Sequence, residues 1–100
     1  MAARDGGATC GAATFRVAAS LAHVESILVE PKHRRRGVGR QLLAEGERIA
    51  NYYNCHKMTA MVPHRSSAQA FFEACGYREE AVLAQHTFKL DVALLRKFLL

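Results

Sequence analysis

Several features that would assign a chain to a familiar class are missing from this sequence. It has no apolar run long enough to cross a membrane and no signal peptide. Its three cysteines are an odd number and are widely spaced, which is unlike a disulfide framework. No C-x-x-C or H-x-x-x-H pair offers two metal ligands from one turn, so we expect no metal site. These absences predict a cytoplasmic protein that does not act at a membrane.

The composition indicates one small domain with an anionic partner. The chain has 100 residues, of which 50% are apolar, and a formal net charge of +5. Such a charge favours nucleic acids, acidic membranes and phosphorylated small molecules alike. The basic residues cluster in one loop, without a recognition helix or an aromatic platform, so we expect no nucleic-acid role.

The first residues differ in composition from the rest. Residues 1–13 are rich in glycine and alanine and have no hydrophobic period, which predicts a disordered or flexible start. The pattern TFRVAA at 14–19 suggests a short strand. We therefore place the folded domain at residues 14–100.

A β–loop–α–β unit is predicted in the middle of the chain. The stretch HVESILVE, residues 23–30, reads as a buried strand that ends at Pro31. Apolar residues then recur at helical spacing from Val38 to about Tyr53, and KMTAMV at 57–62 reads as a second buried strand. Such a unit gives parallel strands joined by a right-handed crossover.

The remainder is predicted to contain a second helix and further strands. Ser66 or Ser67 can cap a helix that Gly76 ends. Residues 80–91 suit a final strand or a hairpin. The amphipathic tail, residues 92–100, is expected to form a short helix.

The stretch RRRGVG between the first buried strand and its helix suggests an anion site. Glycines at 37 and 39 remove Cβ atoms, so that backbone N–H groups and the helix dipole can converge on a phosphate. The preceding arginines can add charge-assisted hydrogen bonds. Neither the G-x-G-x-x-G nor the G-x-x-x-x-G-K-[ST] pattern is satisfied, and the loop alone fits a solvated basic turn equally well.

Two motifs together resemble the GNAT superfamily of N-acetyltransferases. Its acetyl-coenzyme A loop, Arg/Gln-x-x-Gly-x-Gly/Ala, is matched by residues 34–39, and its motif A-x-x-F-Y-x-x-x-G-F by AQAFFEACGY at 68–77. The stretches HVESILV, NCHKM and FFEACGY are most similar to glucosamine-6-phosphate N-acetyltransferases. The resemblance implies an α/β fold with a mixed α+β sheet. Residues 14–91 would form its carboxyl-terminal two-thirds, without the first strands and helices.

The resemblance also implies a function and site residues. Acetyl-coenzyme A (acetyl-CoA) would donate an acetyl group to a primary amine, with glucosamine 6-phosphate as the leading acceptor. Glu25 would be the general base, with His23 as second choice. Plausible partners of the acceptor's phosphate are His64, Arg65 and Arg78. The expected cofactor-binding residues are Ile27, Leu28, Val29, Arg34, Arg35, Arg36, Gly37, Val38, Gly39, Arg40 and Phe72.

The sequence departs from the family at three positions. Phe72 replaces the tyrosine that commonly protonates the leaving thiolate, and Ser26 and Met61 replace acidic residues of the glucosamine-phosphate enzymes. A protein or peptide acetyltransferase therefore remains an alternative, as does a non-catalytic member that binds coenzyme A or a partner chain. An edge at residues 14–19 predicts a homodimer.

Overall fold

A computed structural model describes residues 2–5, 8–29 and 37–99 of the chain. The described strands form one six-stranded mixed sheet in the order β1-β2-β3-β4-β6-β5, which confirms the predicted fold class. The elements are β1 (Ala2–Asp5), β2 (Ala8–Ala18), β3 (Leu21–Val29), α1 (Val38–Tyr52), β4 (Lys57–Pro63), α2 (Ser67–Ala74), β5 (Arg78–Thr87) and β6 (Leu90–Phe98).

The predicted β–loop–α–β unit is confirmed by β3, α1 and β4. β3 and β4 are parallel neighbours, paired from Leu21 with Lys57 to Val24 with Ala60. α1 buries the apolar stripe that its sequence predicts, including Leu42 and Leu43. After the helix, Asn54 takes a left-handed conformation with φ 62°.

The second predicted helix is also confirmed. The hydroxyl of Ser66 accepts a hydrogen bond from the backbone N–H of Gln69 at 3.2 Å, which caps the start of α2. Gly76 lies just beyond the end of the helix with φ 96°, a conformation that favours glycine.

The tail was wrongly predicted to be a helix. β6 lies between β4 and β5 and pairs antiparallel with both. Ala93 and Leu95 are fully buried in the core and alternate with Leu94 and Arg96, which is the period of a strand. Pairing on both sides therefore outweighs the amphipathic helical pattern of this short segment.

Strands also occupy most of the start, where the sequence predicted flexibility. β1 and the first part of β2 lie within residues 2–13 and pair antiparallel. The small residues allow close backbone approach, because a Cβ at Gly11 would lie only 2.6 Å from the carbonyl oxygen of Leu28 in β3.

β1 pairs with β2 as far as Ala12, which leaves residues 14–18 of β2 paired only with β3 in the described chain.

Substitution of Gly11 by alanine tests this close approach. The new methyl group would meet main-chain atoms that cannot rotate away, so Gly11→Ala is expected to lower the free energy of unfolding by about 1–3 kcal/mol. Gly39→Ala is the matched control, since its Cβ would meet the Phe71 ring at 3.3 Å and the change should stay below about 1 kcal/mol. Urea unfolding measures both, and equal effects would contradict the account.

One face of the sheet packs against both helices and forms the core. The core residues of the sheet are small or aliphatic and meet Leu43 of α1 and Phe72 of α2. We call this the helix-covered face, and its core members from β3, β4 and β6 are Ala22, Val24, Met58, Ala60, Val62, Ala93 and Leu95.

A partly buried polar cluster ties α1 to the chain after α2 and to β6. The hydroxyl of Tyr77 donates to Oε2 of Glu47 at 2.9 Å, and Nζ of Lys97 donates to Oε1 of the same carboxylate at 2.9 Å. The Lys97 ammonium also donates to the carbonyl of Cys75 at 3.0 Å. Burial, reinforced by the Glu47 carboxylate, raises the pKa of Tyr77 far above its ordinary value.

This pKa shift predicts a loss of stability at alkaline pH. In the unfolded chain Tyr77 ionises near pH 10, whereas in the folded chain it keeps its proton, so the folded state binds more protons above that pH. The free energy of unfolding should therefore fall with a slope of up to about 1.4 kcal/mol per pH unit from this residue. Urea unfolding between about pH 9 and 11 should show a weaker slope in Tyr77→Phe than in wild type or in Tyr52→Phe, and an unchanged slope would contradict the assignment.

Candidate active site

A groove opens where β3 and β4 diverge. Their pairing ends at Val24 and Ala60, although β3 continues to Val29 and β4 to Pro63. The gap, the start of α1 and one flank of α2 enclose about 760 Å³, within the range of roughly 300–1,000 Å³ typical of ligand sites. The lining residues are Val24, Glu25, Ser26, Ile27, Leu28, Val29, Gly37, Val38, Gly39, Arg40, Ala60, Met61, Val62, Ser67, Ala68, Phe71 and Phe72.

Glu25 lies at a β-bulge beside the point of divergence. In the pairing of β2 with β3, Phe15 lies opposite Val24, and the neighbouring Thr14 lies opposite Ser26. Glu25 is therefore the extra residue of β3, without a partner in the β2 register. Bulges bend a strand and redirect a side chain, and they are frequent next to active sites. Arg16 on β2 holds the Glu25 carboxylate at 3.2 Å. The site therefore places a positioned carboxylate at the groove.

The other end of the groove is the amino end of α1. Gly37 precedes the helix with φ 78° and ψ 8°, and no side chain caps the helix. Among the described residues, the first amide of the helix with a carbonyl acceptor is that of Gln41, which donates to the carbonyl oxygen of Gly37 at 2.9 Å. The N–H groups of residues 38–40 have no acceptor within the described chain, so they and the helix dipole can bind an anion.

Most of the predicted cofactor-binding residues meet in this groove. The backbone segments 27–29 and 37–40 line it together with Phe72, and so does Glu25, the predicted base. The predicted ligands Arg34, Arg35 and Arg36 lie outside the described residues. Two separate sequence motifs thus converge on one cavity.

His23 is not part of the groove lining. Its Nδ1 forms a hydrogen bond of 2.8 Å with the Thr59 hydroxyl across the β3–β4 pair. Burial lowers the pKa of His23, the nearby Arg16 lowers it further, and Glu25 opposes the shift. A histidine so placed contributes to the sheet rather than to the groove wall.

The three predicted acceptor-binding residues lie elsewhere. His64 and Arg65 line a smaller cavity of about 370 Å³ on the other flank of α2, where Nε2 of His64 lies 3.2 Å from a carboxylate oxygen of Glu79. Arg78 begins β5 and lines neither cavity. The structure therefore does not bring this set to the groove.

No tyrosine of the described chain replaces the missing acid. Phe72 occupies the position with 6% of its surface exposed and packs edge-on against Tyr77. The Tyr77 hydroxyl is held by Glu47, while Tyr52 and Tyr53 lie at the exposed end of α1. None of these three tyrosines lines the groove.

Sequence reasoning assigned Phe72 of α2 to the cofactor site but missed the other groove residues of α2, and it assigned no residue of β4 to this site. Ser67 and Phe71 are four residues apart on one flank of α2, a spacing that could have indicated a shared surface. Ala60 and Val62 looked like core residues only, and they also line the groove because the strands diverge. No sequence pattern indicates that divergence.

Neither a metal cluster nor a membrane-spanning helix is found in the described part of the chain. Residues 2–5, 8–29 and 37–99 contain no group of three His, Cys, Asp or Glu side chains that could hold a metal ion. No helix within these ranges is long and apolar enough to span a membrane.

Solved structures share this architecture. A protein from Desulfovibrio desulfuricans that is assigned to the GNAT family superposes with a TM-score of 0.91, at 22% identity, over 99% of this chain and 67% of its own. The ribosomal-protein-S18-alanine N-acetyltransferase of Escherichia coli gives a TM-score of 0.84 at 21% identity, over 96% of this chain. The ribosomal-protein-alanine N-acetyltransferase of Brucella melitensis gives 0.82 at 26% identity, over 97% of this chain and 66% of its own.

The lengths of these proteins differ from that of the present chain. It spans 65% of the Escherichia coli protein, just under two thirds. No curated protein sequence matches the chain significantly. A model of the acetyltransferase (GNAT) domain matches residues 1–79. Because that match covers well over half of the chain, the protein belongs to the GNAT acetyltransferase domain family.

Proposed function

We propose that this chain binds acetyl-CoA in the groove and transfers the acetyl group to a primary amine. One observation carries the proposal: a single cavity joins an anion-binding helix start to a diverging strand that bears a positioned carboxylate. GNAT enzymes use acetyl-CoA in general, which agrees with this arrangement.

The residues of the groove fit the cofactor's parts. The N–H groups of residues 38–40 can bind the pyrophosphate, because glycines at 37 and 39 leave the backbone accessible. The arginines at 34–36 and Arg40 would add charge-assisted bonds. The strand segment 27–29 borders the gap, where main-chain groups can pair with the amides of the pantetheine arm.

Few protein groups are needed for the chemistry. The cofactor supplies an activated acetyl thioester, and the chain must orient it, stabilise developing negative charge and take a proton from the amine. Glu25 is our candidate for the proton acceptor, directly or through a water molecule, since this residue lines the groove and Arg16 holds its carboxylate. Main-chain N–H groups of segment 27–29 would polarise the thioester carbonyl. With Phe72 in place of tyrosine, the thiolate would leave without a proton from that position.

Glucosamine 6-phosphate is our first candidate acceptor. The similarity of HVESILV, NCHKM and FFEACGY to the glucosamine-phosphate enzymes supports it. His64, Arg65 and Arg78 do not line the groove, which argues against them as partners of the acceptor's phosphate.

A protein or peptide amine is the second candidate acceptor. Two similar structures are named as acetyltransferases of ribosomal-protein alanine, and this observation supports the alternative.

Release of free coenzyme A from acetyl-CoA, measured with glucosamine 6-phosphate and with alanine-ended peptides, tests the proposal. Turnover of the sugar alone supports the first acceptor, and turnover of peptides alone supports the second. Cofactor binding without product from either acceptor or from a wider panel of amines would favour a non-catalytic member that binds coenzyme A, and it would overturn the proposed activity.

We also propose that the protein acts as a cytoplasmic homodimer. Residues 14–18 of β2 offer an edge to a second chain, as the sequence suggested. Sedimentation equilibrium that shows only monomers at high concentration would overturn the dimer.

A further inference from the structure

The face of the sheet opposite the helix-covered face carries a row of basic residues. Directly paired residues of neighbouring strands project from the same face, and successive residues alternate between faces. His23 and Thr59 alternate with core residues of β3 and β4, so they project away from both described helices. We call this surface the helix-free face, defined by Arg16, His23, Thr59, Arg96 and Arg78.

These five residues are consecutive partners across five strands. The register pairs Arg16 with His23, His23 with Thr59, Thr59 with Arg96 and Arg96 with Arg78. Because neighbouring strands lie about 4.8 Å apart, the row extends for about 19 Å. Three guanidinium groups therefore lie along one line of the sheet.

The charges along this row are only partly balanced. Arg16 pairs with Glu25 at 3.2 Å, and the neighbouring Lys57 pairs with Glu80 at 2.8 Å. Arg78 and Arg96 lie directly opposite each other, and the described residues provide no acidic partner for either. Like charges in this position destabilise a sheet unless an anionic group lies between them.

Apolar side chains flank the arginines on the same face. Met61 and Leu94 pair with each other and lie two residues along their strands from Thr59 and Arg96, on the same face. Met61 has 37% of its surface exposed. On the other side Phe98 has 54% of its surface exposed, with the Arg96 guanidinium 4.8 Å from its ring centre. Apolar and arginine side chains together are typical of the central residues of a protein interface.

The charged and apolar groups of the helix-free face favour some binding partners over others. A second copy placed face to face would oppose one row of arginines with another, which is repulsive. A nucleic acid could offer phosphates to the arginines, but its charged backbone would leave the exposed apolar side chains of Met61 and Phe98 uncovered. A segment that carries both carboxylates and apolar side chains complements Arg78 and Arg96, which have no acidic partner among the described residues, and the apolar side chains beside them.

We propose that the helix-free face docks an amphipathic acidic polypeptide segment. Its carboxylates would lie between Arg78 and Arg96, where they would relieve the repulsion of the two guanidinium groups. Its apolar side chains would cover Met61, Leu94 and Phe98. Met61 also lines the groove, so the docked segment would lie beside the proposed active site, but this proposal does not depend on acetyl transfer.

Fluorescence anisotropy with designed peptides tests the proposal on the full chain. The probe is a labelled helical peptide of about 18 residues, roughly 27 Å long, with leucines on one face and glutamates on the other. A peptide with lysines in place of the glutamates and a short DNA duplex serve as comparisons. The variants are Arg96→Glu on the helix-free face and Arg48→Glu on α1, which changes the net charge equally.

The acidic peptide should bind wild type saturably, and Arg96→Glu should weaken this binding roughly tenfold while Arg48→Glu leaves it within about twofold. Absence of acidic-peptide binding would overturn the proposal, and so would an equal loss in both variants. Tighter binding of the DNA duplex or of the lysine peptide would also overturn it.

Discussion

Gly37→Glu is expected to lower the affinity for acetyl-CoA at least about a hundredfold. A carboxylate at this position would lie beside the helix start that we assign to the pyrophosphate. At a separation of about 5 Å and an effective dielectric constant near 20, the repulsion is about 3 kcal/mol per charge pair. No heavy atom lies within 4 Å of a Cβ built at Gly37, so steric disruption should be small. Isothermal titration calorimetry measures the effect.

Gly37→Asn is the control that separates charge from backbone strain. Residue 37 has φ 78°, a conformation in which asparagine is tolerated better than most residues. Because asparagine is neutral, this variant should bind acetyl-CoA with an affinity within about tenfold of wild type. The left-handed conformation costs a residue other than glycine roughly 1–2 kcal/mol, and part of this cost is already present in the free protein. If Gly37→Glu is folded and binds as well as wild type, the anion site is wrongly placed.

Glu25→Gln is expected to lower the turnover number about 10²–10⁴-fold without a comparable change in acetyl-CoA affinity. The amide keeps the size of the side chain at the bulge but cannot accept the amine proton, and general-base catalysis contributes this range. Steady-state kinetics with the accepted amine, together with calorimetry for the cofactor, distinguishes catalysis from binding.

Arg16→Gln provides the matched control for Glu25. It removes the 3.2 Å ion pair but leaves the carboxylate, and both partners are substantially exposed. We therefore expect less than about a tenfold change, as for an exposed ion pair. If Glu25→Gln retains more than about a tenth of the wild-type turnover, Glu25 is not the base, and His23→Asn becomes the next variant to measure.

The site could be predicted from the sequence where local patterns determine it. The glycines at 37 and 39, the β3–α1–β4 unit and the AQAFFEACGY helix each depend on a short stretch of residues. The structure confirms the unit and the helix, and both glycines line the groove, whose role as the cofactor site stays a prediction. The hydrophobic period of α1 and the capping serine of α2 are similarly local.

Features that depend on pairing between distant segments could not be predicted. The divergence of β3 and β4 is a property of two strands about 35 residues apart, and neither strand indicates it alone. The bulge at Glu25 is visible only in the register with β2. The tail forms β6 because two neighbouring strands are available to pair with it, although its own pattern also suits a helix. The start of β2 pairs with β1, and from Gly11 onward also with β3, although its side chains are small.

Amide chemical-shift mapping of the wild-type chain with acetyl-CoA tests the central claim most directly. We predict that the largest changes occur at residues 25–29 and 37–40, which line the groove, with smaller changes around the cavity that contains His64 and Arg65. The absence of changes, or changes centred on the smaller cavity, would contradict the assignment of the groove to the cofactor.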